Sequence, residues 1–201
     1  MKKLIDVLFK ILIFLFFPLL FSLIFWYVSI PFIKEKYIFI FLILGLFVGL
    51  FINFFILKKY LKNLYNLDIK FLIIIYLFYN FCIYVFFMGV PIFNLIINFI
   101  SGLYFSRKCN YLNLKKTDSY RIIKSVSIFT TIFIFIIFCI SGIIAIKDSW
   151  TGLNIQGMLH LKNPITKSQI YYIVIFGELL FLILNYYLTF LISFLTYKKL
   201  I

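Results

Sequence analysis

Acidic side chains are scarce in this chain. Six aspartates and glutamates, one histidine (His160) and three cysteines are scattered over 201 residues. A metal site needs such ligands clustered, so no metal and no cofactor is expected. The motifs HExxH and GxSxG and a phosphate-binding glycine loop are all missing. No second carboxylate accompanies Glu178 for paired acid–base work. A catalytic residue is therefore not assigned, and the chain is read as a non-enzyme. Cys82, Cys109 and Cys139 form neither a metal-type pair nor a disulfide framework. Alanine occurs once, at Ala145, while Ile, Phe, Lys, Asn and Tyr abound, a bias expected of a low-GC genome.

What is present is apolar sequence in long runs. Hydrophobic residues make up 65% of the chain and the mean hydropathy is +1.14, outside the range of a soluble domain. The bilayer core is ~30 Å thick and ~20 helical residues cross it. The runs predict an all-α, polytopic integral membrane bundle forming one transmembrane domain over residues 1–201. Its spans are Val7–Ile30, Tyr37–Leu57, Phe71–Met88, Ile92–Ser106, Ser125–Ile146 and Ile170–Thr196. Met1-Lys2-Lys3 before the first run has the look of a leader, but no small-residue cleavage site follows. An uncleaved first span is expected.

The fourth span is the difficult one, because Gly89-Val90-Pro91 interrupts the run from Phe71 to Lys108. Pro91 suits the first turn of a new helix. Charge placement argues for two spans there. Threading six spans with the N-terminus inside puts fifteen basic residues on the inner side and five on the outer, the bias of the positive-inside rule. Five spans would partly cancel it. Both termini are thus expected in the cytoplasm, with the chain multi-pass in the cell membrane. The same placement at helix ends accounts for the net charge of +14 and leaves no nucleic-acid partner. Span four is short, ~22 Å, and is expected to be shielded by neighbours, to thin the bilayer, or to be partly re-entrant.

Few polar groups lie within the spans. In the last one Tyr171, Glu178, Asn185, Thr189 and Thr196 fall on one narrow helical stripe. Glu178 is the only acid well inside any span, and an ionised group facing lipid costs at least ~2.5 kcal/mol. Shorter stripes are Asn94, Asn98 and Ser101; Tyr76, Asn80 and Tyr84; and Ser22, Trp26 and Ser29. Counted from the outer boundary, Glu178, Asn80, Asn98 and Ser22 share a layer ~9–12 Å deep. Two readings stand. Glu178, Asn185, Asn98, Asn94, Asn80 and Tyr171 line a small outward pocket that binds a solute, or the stripes only pack helices.

Other features are structural in expectation. Pro18 kinks the first span, tolerable where a neighbour satisfies the freed carbonyl, and Asp6 and Lys10 are spaced to pair. Gly45 and Gly49 form a GxxxG with Asn53 one turn on. Ser127, Thr131, Gly142 and Ala145 make a small-residue face. The outer segment Lys147–Lys167 is either a lid or an interfacial connector anchored by Trp150. Thr117, Asp118 or Ser119 is a candidate cap for the fifth span.

Gly89-Val90-Pro91-Ile92-Phe93-Asn94, Ser101-Gly102-Leu103-Tyr104 and Arg107-Lys108 resemble a pattern in uncharacterised small multi-spanning membrane proteins of low-GC bacteria. That resemblance implies no activity. The six-span plan is also similar to the substrate-capture subunits of vitamin transporters, whose alanine-rich docking motif on the first span this chain lacks. The expected partners are the lipid bilayer and either a small solute or a partner membrane subunit. The expected function is solute binding or transport through the outward pocket, with a non-transporting accessory or assembly role as the alternative.

Overall fold

A computed structural model describes residues 2–57, 63–87, 91–163 and 165–198. Met88, Gly89 and Val90, at the interruption after the third span, lie outside the described residues, as do Lys58, Lys59, Lys62 and Lys199. Regular structure in the described residues is entirely helical: α1 Lys2–Ser29, α2 Glu35–Ile52, α3 Ile69–Phe86, α4 Asn94–Tyr111, α5 Lys116–Lys147, α6 Thr151–Leu159 and α7 Lys167–Lys198. A π turn, Asn53–Leu57, prolongs α2, and single 3-10 turns cover Leu64–Asn66 and Pro91–Phe93.

Five stretches are long and apolar enough to cross a membrane: Ile5–Ser29, Glu35–Phe55, Ile69–Phe86, Lys116–Lys147 and Lys167–Lys198. Asn94–Tyr111 is not among them. Its 18 residues hold three asparagines, Ser101, Ser106, Arg107 and Lys108, so its polarity rather than its length sets it apart. The chain divides into two compact units, Met1–Phe78 and Tyr79–Ile201, with the division inside α3.

In the first unit α1 packs antiparallel on α2, and the sequence explains how. Proline has no N–H, so Pro18 leaves the carbonyl of Phe14 without its helical donor. Asn53 reaches across from α2 and donates its Nδ2–H to that oxygen at 2.5 Å. One and two turns back along α2, Gly49 and Gly45 bring the backbones together. A Cβ on Gly49 would lie 2.5 Å from Pro18 Cα, and one on Gly45 would strike the Phe21 carbonyl. The i, i+4, i+8 face Gly45-Gly49-Asn53 is thus fitted to the proline defect. Ser22 donates to the Pro18 carbonyl at 2.7 Å. Asp6 accepts from the Tyr65 hydroxyl at 2.5 Å. Of the α1 stripe, Ser22 and Ser29 are buried while Trp26 is exposed.

In the second unit α4, α5 and α7 pack on one another. Between α5 and α7 the segment thought of as a lid or connector folds as α6. Asp148 starts it, accepting from the Thr151 hydroxyl at 2.9 Å and the Trp150 N–H at 3.2 Å. His160 ends it with a left-handed backbone, φ 52°. Lys115 precedes α5 without a side-chain cap, so none of Thr117, Asp118 and Ser119 takes that place.

Candidate functional site

Polar side chains of the second unit meet in three tiers along α4. The first tier joins α3 to α4. Asn94, the first residue of α4, donates Nδ2–H to the Asn80 carbonyl at 2.8 Å and to Asn80 Oδ1 at 2.9 Å. Near this contact Pro91 is buried and the rings of Phe87 and Phe93 stack at 3.8 Å.

The second tier ties three helices with one chain of hydrogen bonds. Asn98 of α4 donates to Asn185 Oδ1 of α7 at 2.7 Å. Asn185 donates its own Nδ2–H to Thr131 Oγ1 of α5 at 3.0 Å, and Thr131 donates to the Ser127 carbonyl at 2.8 Å. Each donor is itself polarised by the bond it accepts, which strengthens the series in a low-dielectric interior.

The third tier closes α4 onto α7. The Ser106 hydroxyl lies 2.8 Å from the Gly102 carbonyl and 2.7 Å from the Ser193 carbonyl. Ser193 donates to the Thr189 carbonyl at 2.6 Å. A Cβ on Gly102 would run into Ser193 Oγ and lie 3.2 Å from the Thr189 carbonyl. Residues 98, 102 and 106 therefore track 185, 189 and 193 in the same order, so α4 and α7 run parallel. Asn80, Asn94, Asn98, Asn185 and Thr189 are 0% exposed. Two of their atoms, Asn94 Oδ1 and Thr189 Oγ1, are buried without a hydrogen-bond partner.

Four of the six candidate site residues thus fall into two bonded groups, Asn80 with Asn94 and Asn98 with Asn185. The other two stand apart. Tyr171 is 48% exposed. Glu178 is half-buried on α7, its Oε1 only 2.7 Å from where a Gly142 Cβ would be. The shared layer expected of Glu178, Asn80 and Asn98 is not what the helices form. Asn98 is level with Asn185, seven residues and ~10 Å along α7 from Glu178. Depths counted from each span's own end assumed that α4 starts at the membrane boundary. It starts instead beside Asn80, well inside the length of α5.

Sequence reading underrated Thr131, placed on a small-residue face, and omitted Ser106 and Ser193. Their signal was present as an i, i+4, i+8 run of small polar residues on each of two helices. Ser141 donates to the Tyr84 hydroxyl at 2.9 Å, which adds α3 to α5. No group of three or more His, Cys, Asp or Glu that could hold a metal exists among the described residues. At the basic end, Cys109 is buried with Ile123 and Tyr197. Burial pushes its thiol up from the ordinary cysteine range, against smaller opposing effects of Ser119 and Lys108.

No family model, curated protein or solved structure matches the chain. The five apolar helices make it a membrane protein in contact with lipid.

Proposed function

We propose that this is a multi-pass protein of the cell membrane that crosses six times, with both ends in the cytoplasm, and serves as an accessory or assembly subunit. The amide series Asn98–Asn185–Thr131 carries this reading. A solute site presents polar groups to an entering ligand, whereas these groups are spent on one another and shut off from outside. They set the register of three helices.

Helix directions support six crossings. α1 and α2 form an antiparallel pair. In the second unit α4 parallels α7, α5 opposes α7 through Asn185–Thr131 and Glu178–Gly142, and the Asn80–Asn94 and Tyr84–Ser141 contacts lay α3 along α5 and against the direction of α4. The segments α3, α4, α5 and α7 thus alternate in direction, and an even number of crossings returns the C-terminus to the side where α3 begins. Fifteen basic residues gather on that side in the same threading.

Solute binding or transport is the second reading, favoured by Glu178 alone, an intramembrane acid outside the amide tiers. Mass spectrometry of the protein purified in mild detergent separates the two. The accessory reading expects a stoichiometric protein subunit and no bound metabolite. A stoichiometric metabolite that disappears in Glu178→Gln overturns it.

A further inference from the structure

Glu178 is the residue that the amide tiers leave over. It lies eight residues into the last apolar run, ~12 Å from its start, and makes no hydrogen bond or ion pair among the described residues. Gly142 of α5 is buried, and the Glu178 carboxyl and Val174 of α7 fill the space where its side chain would stand. Beside it on α7, Ile175 and Leu179 are both 60% exposed. An acid in this place is costly in lipid, and acids at such depth pair with bases or backbone groups.

We propose that the α5–α7 seam at Gly142 and Glu178 is the docking site for a membrane helix of a different protein, one that carries a lysine or arginine at the depth of Glu178. Charge complementarity names the partner's chemistry. The same seam of a second copy does not supply it, because the basic residues of α5 and α7, Lys116, Arg121, Lys124 and Lys147, and Lys167 and Lys198, all lie outside the apolar runs Ser125–Ile146 and Ile170–Thr196. This inference rests on the accessory-subunit reading and names the class of its partner.

The test uses the full chain in phosphatidylcholine vesicles. The probe is a fluorescent poly-leucine transmembrane peptide with one lysine, and binding is read by energy transfer. The lysine is walked along the peptide. Binding is expected to peak with the lysine ~12 Å from one end of the apolar stretch, about tenfold tighter than for a lysine-free peptide. Glu178→Gln should abolish that peak. A flat profile with wild-type protein overturns the docking site whether or not the variant folds. So does a peak that survives Glu178→Gln, or energy transfer between copies of the chain that is lost in Glu178→Gln. If the profile is flat while Asn98 and Asn185 remain energetically coupled, the docking site falls and the packing role of the amides stands.

Discussion

Pro18 shows how a single residue dictates its neighbours. A carbonyl left bare in hydrocarbon costs several kcal/mol, and the Phe14 oxygen is rescued by one side chain, Asn53, on the next helix. Asn53→Leu should destabilise the protein by ~1–3 kcal/mol. In a Pro18→Ala background the helix regains its own donor, and the same substitution should cost clearly less. Denaturant unfolding of the four proteins in mixed micelles measures the difference. Equal costs in both backgrounds would show that Asn53 does not serve the proline gap. Cys109 is a second case at this scale. With its thiol pushed up by burial, it stays protonated at pH 8, and only the thiolate reacts. Maleimide labelling at Cys109, followed by mass spectrometry, should be at least about tenfold slower in the native protein than after denaturation. Equal rates would mean that the thiol is open to solvent.

At the scale of elements, two ladders hold the helices: Gly45-Gly49-Asn53 of α2 and its π extension against α1, and Asn98-Gly102-Ser106 of α4 against α7. Both use small or amide residues one turn apart, so that backbones approach and polar atoms meet across the seam. Gly102→Ala forces Ser193 aside and crowds the Thr189 carbonyl. A loss of ~1–3 kcal/mol is expected, read as a lower unfolding midpoint. Gly157, which has open space around it, is the control and should tolerate alanine. These ladders were only partly legible in the sequence. The GxxxG and the proline defect were visible as spacing, and so were the apolar runs, because periodicity and length are local properties. Which asparagine meets which was not visible. Asn98 and Asn185 are far apart in the chain, and their meeting depends on how deep α4 begins, a consequence of the buried Asn80–Asn94 hydrogen bonds. The α6 helix was hidden for another reason. Trp150 to Leu159 is too short and mixed to stand out, and Asp148 and His160 define it only through cap geometry.

For the whole molecule, the division within α3 has no mark in composition, since apolar residues continue on both sides of Phe78 and Tyr79. The six-crossing proposal is decided by topology. Single cysteines placed near each terminus, in a chain with the three native cysteines replaced, should both be labelled by an impermeant maleimide from the cytoplasmic side alone. Labelling of the two ends from opposite sides would mean that α4 does not complete a crossing. The functional reading depends on whether the intramembrane amides hold helices or hold a ligand.

A double-mutant cycle on Asn98 and Asn185 addresses that question most directly. Each is changed to leucine, singly and together, and unfolding is followed in bicelles without added solute. The predicted coupling is ~0.6 kcal/mol and no more than ~1.7 kcal/mol, the average and the maximum found for polar pairs between membrane helices. A coupling of zero, with both single variants as stable as wild type, would contradict the account.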